Sequence, residues 1–176
     1  MSTLTTREIT LCSLMAALSY ISSFISIPLG PVPFTLQTLF VLLTGLILQK
    51  NAAFLAQTLH LLLILIFKGF QSFLSPSFGF VLGFILGAYV MAWFLESRSF
   101  TFKSALGAIL IGSSIFYIIG LPYMIFILRG YLDLTMSNSL IFKTGFLLFV
   151  PGDVVKAVFA FLISSRLQRH LKRIQN

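Results

Sequence analysis

Residues 9–49 read ITLCSLMAALSYISSFISIPLGPVPFTLQTLFVLLTGLILQ, a run of 41 residues without a charged side chain. A helix that crosses a bilayer needs about 20 predominantly apolar residues, so this run is long enough for two helices. Segment 28–33, PLGPVP, divides the run, because proline lacks the backbone N–H and clashes with the preceding helical turn. We therefore predict one transmembrane helix over residues 9–27 and a second over residues 35–49.

The composition of the whole chain agrees with a membrane location. Of its 176 residues, 58% are hydrophobic and 9% are charged, and the mean hydropathy is +1.03. A soluble domain carries roughly 25% charged residues, and a domain of this size has too much surface to hide so many apolar side chains. The composition therefore excludes a soluble enzyme, a nucleic-acid-binding module and a disordered chain, and it indicates an integral membrane protein.

Charged and polar interruptions divide the rest of the chain in the same way. They predict four further helices and a basic tail, over residues 52–67, 79–95, 104–128 and 151–165, and over residues 166–176. Pro151 suits the first position of the last helix, and Asp153 complements its dipole in the first turn. The prediction is an all-α integral membrane protein with six transmembrane helices in a single membrane domain, residues 1–176.

The basic residues predict the orientation of these helices. An even number of crossings places both termini on one side. Eight Lys and Arg lie on that side: Arg7, Lys50, Arg98, Lys103, Arg166, Arg169, Lys172 and Arg173. Three lie on the other side: Lys68, Arg129 and Lys143. Basic loops face the cytoplasm, where they meet an anionic leaflet, so we expect both termini to be cytoplasmic. The net charge of +8 then reflects contact with membrane lipid, and we expect no nucleic acid partner.

Catalytic and metal-binding signatures are missing from the sequence. His60 and His170 are too far apart to form a helical metal-binding pair, and Cys12 is the only cysteine. The chain has no glycine-rich phosphate loop, so we do not expect it to hydrolyse ATP. We expect neither a metal nor a cofactor, and we do not expect an enzyme. For His60 we expect a hydrogen-bonded packing role.

Small residues recur every four positions on three predicted helices: Gly79, Gly83 and Gly87; Ser104, Ala108 and Gly112; and Ser13 and Ala17. Such stripes let helix backbones approach closely inside a membrane. We expect the first two stripes to pack against other helices of the bundle. The pair on the first helix is suited equally to internal packing or to contact with an external partner.

Asp153 and Lys156 are the most distinctive charged residues. They are three positions apart, so they share one face of the last helix at a Cβ separation of about 5–6 Å. A charge near the bilayer centre costs roughly 2.5–3.5 kcal/mol on insertion scales, and such residues are candidates for function. Two interpretations remain open at this point. The pair either neutralises itself near a helix start, with Asp153 as a cap, or it binds a small polar solute in an apolar cavity.

Three motifs resemble those of one membrane-protein family. IPLGPVPFTLQT at residues 27–38 resembles the first-loop signature of the BioY family, the biotin-binding S-components of energy-coupling factor (ECF) transporters. SPSFGFVLGF at residues 75–84 resembles the family's glycine-rich stretch, and PGDVVKA at residues 151–157 resembles its last-helix segment. Ser77, Phe78 and Phe80 depart from the usual Thr, Gly and Tyr.

The resemblance implies an S-component-like bundle in the bacterial cytoplasmic (inner) membrane. Such a subunit captures biotin from outside, docks on a transmembrane coupling subunit that carries two ATPase subunits, and releases biotin inward. The alternatives are an S-component for another small vitamin, and a small membrane channel or assembly factor. A channel would need a polar stripe along several helices, which the sequence lacks.

The resemblance also implies site residues. Asp153 and Lys156 match the residues that the family is thought to use for its substrate. Polar residues of the motifs and outer loops complete our candidate set: Thr35, Gln37, Gln71 and Ser77. The extended vitamin is too long for one helix face, so we expect Arg129 or Lys68 to contact its carboxylate. Ser13 and Ala17 correspond approximately to the family's small-residue contact for docking to the coupling subunit.

Overall fold

The structure, a computed structural model, describes the backbone of residues 5–175 and the side chains of residues 5–168. Its regular elements follow in chain order: α1 Thr6–Ser22, β1 Ser26–Pro28, β2 Pro33–Thr35, α2 Gln37–Ile47, α3 Lys50–Lys68, α4 Phe78–Glu96, α5 Phe102–Phe126, α6 Asn138–Phe142 and α7 Val150–Gln175. A 3₁₀ turn, Phe70–Leu74, precedes α4, and π-helical turns at Ile127–Tyr131 and Lys143–Leu147 flank α6. The predicted six-helix bundle is confirmed, with α6 as a short addition.

The long helices differ in their ability to cross a membrane. Within the described part of the chain, four helical stretches are long and apolar enough to span a bilayer: Lys50–Lys68, Phe78–Glu96, Phe102–Tyr131 and Asn138–Gln168. α2 is apolar but has 11 residues, which corresponds to about 16 Å at roughly 1.5 Å per residue. The bilayer's hydrocarbon core is about 30 Å thick, so α2 extends through only part of it.

The proline-rich segment forms a hairpin, and this changes the bounds of the first two predicted helices. α1 was expected to continue to residue 27 but ends at Ser22. β1 and β2 then pair in an antiparallel register that sets Ile27 opposite Phe34. Two strands of three residues expose most of their backbone edge, where a proline without an N–H is tolerated. Gly30 has a φ of +132° at the turn between the strands, a conformation that glycine adopts without steric cost.

The prediction that the last helix ends at residue 165 is wrong, because α7 continues to Gln175. The expected basic tail therefore has a helical backbone over most of its length. Arg166, Arg169 and Arg173 are three and four positions apart, a spacing that places them on one face of a helix. The side chains of Arg169, Lys172 and Arg173 lie outside the described residues, as does the whole of Asn176.

α4 and α5 form the most extensive helix contact of the bundle. The predicted internal role is confirmed for the glycines and for Ala108, whereas Ser104 caps the start of α5 by accepting from the Thr101 N–H at 2.8 Å. A Cβ atom added to Gly83 would lie 3.0 Å from Phe116 Cα, and one added to Gly87 would lie 2.3 Å from Phe116 Cε1. Ala108 and Gly112 are buried on the facing side of α5. The absence of side chains therefore lets the two backbones approach each other.

Polar contacts mark the two ends of the bundle. At one end, Lys50 and Glu96 form an ion pair of 2.8 Å between the start of α3 and the end of α4. At the opposite end of α3, Lys68 Nζ donates to Ser23 Oγ at 3.0 Å, beside the hairpin. In both of these pairs, the loops that were predicted to share a side of the membrane lie at the same end of the bundle.

Candidate functional site

A cavity lies beneath the β1–β2 hairpin, between α2, α4, α5 and α7. We call it the hairpin cavity. Its volume is about 120 Å³, about ten times the roughly 10–15 Å³ that a single water molecule requires. Its lining combines a few polar groups with aromatic rings: Ser23, Val32, Pro33, Phe34, Thr35, Gln37, Thr38, Lys68, Ser77, Phe80, Val81, Phe84, Phe116, Tyr117, Phe149, Asp153 and Lys156. The first-loop motif and the last-helix motif, about 120 residues apart in sequence, thus meet at one cavity.

Two of the three charged residues that line this cavity, Asp153 and Lys156, form a compact cluster. Lys156 Nζ lies 2.6 Å from Asp153 Oδ1, and Lys156 is only 4% exposed. The same ammonium donates to the Thr35 carbonyl oxygen at 3.1 Å and lies 4.0 Å from the centre of the Phe34 ring. The Tyr117 hydroxyl donates to Asp153 Oδ2. The buried ammonium and the half-buried carboxylate thus each have more than one contact that offsets the cost of removing a charge from water.

The Pro-Gly-Asp start of α7 explains how this cluster is assembled. Asp153 lies in the first helical turn, where a carboxylate is favourable. Gly152 lets the hairpin approach, because a Cβ atom there would lie 2.2 Å from Phe34 Cζ. Phe34 in turn stacks on Phe149 with ring centres 5.9 Å apart. The Phe34 ring is thereby held against Lys156.

A neutral polar network continues from the cavity into the bundle. Gln37 Nε2 lies 2.6 Å from His60 Nε2, and His60 Nδ1 lies 3.1 Å from Gln57 Oε1. Gln57 Nε2 contacts Thr44 Oγ1 at 3.0 Å and Ser19 Oγ at 3.4 Å. All five residues are buried, and only Gln37 lines the cavity. His60 is a hydrogen-bonded interior residue, as expected from the sequence.

The structure brings together five of the seven predicted binding residues. Asp153, Lys156, Thr35, Gln37 and Ser77 all line the hairpin cavity. Lys68, the other residue considered for a carboxylate, lines it as well.

Two predicted residues lie away from the cavity. Gln71 is exposed on the 3₁₀ turn before α4. The Arg129 guanidinium donates through Nη2 to the Met136 carbonyl at 2.8 Å and to Asn138 Oδ1 at 2.6 Å. Arg129 thus holds the loop before α6. Both predictions assumed that residues at the same end of the bundle share one site, and here the loops diverge from the cavity.

Sequence analysis did not identify Tyr117, Phe34 or Phe149 as site residues. Tyr117 lies within the long apolar α5, and its contact with Asp153 depends on helix packing rather than on spacing. Phe34 and Phe149 belong to motifs or runs that were noticed, but an aromatic residue in an apolar segment carries no separate signal.

Tyr117 and Asp153 also line a second cavity, which we call the α5–α7 groove. This groove has a volume of about 650 Å³ and its walls are almost entirely apolar, with Leu106, Ile109 and Ala157 among them. The two residues therefore form part of the partition between the polar hairpin cavity and the groove. The Tyr117 ring also packs edge-on against Phe146, which lines the groove, with ring centres 4.8 Å apart.

The chemistry of the hairpin cavity suits a small molecule with a flat apolar body and polar edges. Asp153 supplies an acceptor, Lys156 supplies a cation and Gln37 supplies an amide. Aromatic rings, among them those of Phe80, Phe84 and Phe116, supply much of the apolar wall. A mostly apolar pocket with a few converging polar groups is the usual form of a small-molecule site.

Comparison with known proteins gives a consistent result. The chain matches the BioY family over residues 1–173. It is 36% identical to the biotin transporter BioY of Thermotoga maritima over 173 residues, which cover 93% of this chain and 96% of that protein. It is 32% identical to the probable biotin transporter BioY of Lysinibacillus sphaericus over 172 residues, covering 93% and 88% of the two chains.

A solved structure shares the fold. The crystal structure of the S-component for biotin from an ECF-type ABC transporter superimposes with a TM-score of 0.79, covers 95% of each chain and is 24% identical. The six-helix bundle is therefore the fold of that S-component, as the three sequence motifs implied. With the family match extending over nearly the whole length, the chain is a multi-pass membrane protein that belongs to the BioY family.

Proposed function

We propose that this chain is the substrate-binding subunit of a biotin uptake system in the bacterial cytoplasmic membrane. Its relatives are named biotin transporters, and the protein that shares its fold is described as a biotin S-component. The observation that carries the proposal is the Asp153–Lys156–Tyr117 cluster at the hairpin cavity, in which Lys156 is buried and the other two residues are half-buried. Placing ionisable residues inside a membrane protein costs free energy, so such residues are candidates for binding a polar solute.

The proposal assigns complementary roles to the charged pair. Biotin carries a ureido group with two N–H donors and one carbonyl acceptor, fused into an apolar bicyclic body. The Asp153 carboxylate accepts from the ureido N–H groups, and the Lys156 ammonium donates to the ureido oxygen. The aromatic walls of the cavity bury the ring system, which contributes roughly 25 cal/mol for each Å² of apolar surface removed from water.

The carboxylate end of biotin requires a second cation. Asp153 and Lys156 share one helix face, and this face is too short to contact both ends of an extended biotin molecule. Lys68 lines the same cavity from the end of α3, and its ammonium is held by Ser23. We assign the carboxylate to Lys68 rather than to Arg129, which is engaged with the loop before α6.

We further propose that α1 docks on a transmembrane coupling subunit that carries two ATPase subunits. Ser13 is exposed and Ala17 is half-buried on the outer side of α1, so this small-residue pair is accessible to another helix. Substitution Ala17→Trp should block docking and abolish coupled uptake while leaving biotin binding unchanged. The matched control is Leu110→Trp on the exposed face of α5. Normal uptake with Ala17→Trp would contradict this docking face.

The proposed orientation places both termini in the cytoplasm and the hairpin cavity toward the outside. A cysteine at Ser72, in a Cys12→Ser background, should react with a membrane-impermeant thiol reagent in intact cells. A cysteine at Ser99 should be protected. The reverse pattern would overturn the orientation.

Direct binding of labelled biotin to the purified full-length chain in detergent tests the proposed function. We expect saturable binding that unlabelled biotin displaces and that thiamine and riboflavin do not. Displacement by another vitamin but not by biotin would support an S-component of different specificity. The absence of binding by any of these solutes would favour a channel or assembly factor and contradict the proposal.

A further inference from the structure

The buried network behind the hairpin cavity has a definite hydrogen-bond direction. Its members lie on three helices: Ser19 on α1, Gln37 and Thr44 on α2, and Gln57 and His60 on α3. His60 and Gln57 are fully buried and do not line the cavity. They therefore do not contact a solute in the cavity. Gln37 does line the cavity, and it is hydrogen-bonded to His60, which is in turn hydrogen-bonded to Gln57.

The direction follows from a single hydroxyl. Thr44 Oγ1 donates its only proton to the Phe40 carbonyl oxygen at 2.7 Å, so toward Gln57 it can only accept. The Gln57 amino group must therefore face Thr44 at 3.0 Å, which turns Gln57 Oε1 toward His60 Nδ1 at 3.1 Å. Because an amide oxygen only accepts, His60 Nδ1 carries a proton.

The same reasoning determines whether the other ring nitrogen, His60 Nε2, donates or accepts. In a neutral imidazole with its proton on Nδ1, His60 Nε2 is an acceptor. It faces Gln37 at 2.6 Å and therefore takes an N–H from the Gln37 amide. A second proton on His60 would place two donors against each other. Gln37 Oε1 lies 3.5 Å from the Thr35 hydroxyl, which orients the rest of the amide group.

We propose that His60 and Gln57 are positioning residues that make Gln37 a hydrogen-bond donor to an acceptor oxygen of the bound solute. The Gln37 amide has two N–H groups, one of which His60 takes. No residue among those described accepts the other, and Gln37 lines the cavity. The inference rests on the proposed function of that cavity. It makes Gln37 a third polar contact of the solute, beside Asp153 and Lys156, and assigns it to a carbonyl or carboxylate oxygen.

The tautomer of His60 tests the direction without disturbing the fold. The chain contains two histidines, so His170→Gln leaves His60 as the only imidazole. Nitrogen NMR of this variant, labelled with ¹⁵N-histidine, should give one protonated and one unprotonated ring nitrogen near neutral pH, with the proton on Nδ1. A proton on Nε2, or a charged ring, would overturn the inference.

A binding cycle tests whether His60 and Gln57 act through Gln37. His60→Leu with Gln57→Leu replaces both partners with apolar groups, which avoids leaving one of them unpaired. This pair of substitutions should weaken biotin binding by about two- to tenfold, the effect of one neutral hydrogen bond. In a Gln37→Leu background the same pair should change affinity little, because the group that they orient is gone.

Equal losses in both backgrounds would mean that His60 and Gln57 serve only the packing of the bundle, and would contradict the inference. Thermal unfolding of each variant identifies any protein that fails to fold, and the NMR measurement then decides alone. The outcomes separate the two proposals. Wild-type protein that does not bind biotin contradicts the proposed function, whereas normal wild-type binding with an additive cycle contradicts only the role of His60 and Gln57.

Discussion

Two glycine–phenylalanine contacts in this bundle are nearly identical in geometry and differ in consequence. In the α4–α5 interface, a Cβ atom at Gly87 would lie 2.3 Å from the Phe116 ring. Under the hairpin, a Cβ atom at Gly152 would lie 2.2 Å from the Phe34 ring. In each case, the absence of a side chain on the glycine allows an aromatic ring to pack directly against the helix backbone.

Both rings line the hairpin cavity, but their surroundings differ. Phe116 packs edge-on against Phe84, 5.0 Å away, within the hydrophobic core. Phe34 has the Lys156 ammonium 4.0 Å from its ring centre and is followed in sequence by Thr35, whose carbonyl accepts from that ammonium. The first contact should therefore control stability, and the second should control the placement of a charge.

The largest loss of affinity within this comparison is expected from Gly152→Val. The added side chain would displace Phe34 and, with it, the Thr35 carbonyl that holds Lys156. A hydrogen bond to a charged group contributes about 1.5–3 kcal/mol, so biotin affinity should fall at least tenfold. Binding of labelled biotin to purified protein measures this loss.

Gly130→Val is the matched control for Gly152→Val. A Cβ atom at Gly130 would have its nearest neighbour, the Phe126 ring, at 3.7 Å, and Gly130 lies outside the hairpin cavity. Its affinity for biotin should stay within about twofold of wild type. Equal affinities for the two valine variants would refute a role of the hairpin contact in the site.

A smaller and more selective loss is expected from Lys68→Met. If the Lys68 ammonium holds the biotin carboxylate, the substitution should weaken biotin binding by about tenfold, corresponding to about 1.4 kcal/mol. Binding of biotin methyl ester, which lacks that charge, should change little. Arg129→Met serves as the control, because Arg129 lies away from the cavity. A greater effect of Arg129→Met than of Lys68→Met would reverse the assignment.

The smallest effect on affinity is expected from Gly87→Val. Its side chain would overpack the α4–α5 interface, and overpacking typically costs 1–3 kcal/mol. Unfolding in denaturant should show this loss of stability. Biotin affinity of the folded fraction should fall by less than about fivefold, because the displaced Phe116 ring forms only part of the apolar wall of the hairpin cavity. A large loss of affinity without a loss of stability would show that the α4–α5 interface is not merely a scaffold.

Features that depend on one segment alone could be predicted from the sequence, whereas features that depend on contacts between segments could not. Charge-free runs located the helices because the membrane requires apolar length. Small-residue spacing predicted that α4 and α5 each pack inside the bundle, because that spacing is a property of each helix alone, but it did not predict that the two helices pack against each other. The motifs identified Asp153 and Lys156. The hairpin was missed because its pairing depends on Ile27 and Phe34 meeting across a turn, which proline content alone does not indicate.

Other contacts of the site depend on how separate elements pack. Tyr117 reaches Asp153 across 36 residues, and no local pattern connects the two. Gln71 and Arg129 were assigned to the site because they were predicted at the same end of the bundle. Residues at one end of a bundle need not line the same cavity, and these two do not. The helical course of residues 166–175 was missed because the end of the apolar run was taken as the end of the helix.

The central claim is that Asp153 and Lys156 bind the solute and do not merely neutralise each other. Removing one member leaves the other charge buried and typically costs about 3–5 kcal/mol, so a single substitution confounds folding with binding. The double variant Asp153→Asn, Lys156→Met removes both charges.

Biotin affinity and thermal stability of this double variant provide the most direct test. We expect a folded protein whose affinity for biotin is lower by about a hundredfold or more, since two hydrogen bonds to charged groups are lost. A folded double variant that binds biotin as tightly as wild type would contradict the account, because the ion pair would then be a structural feature alone.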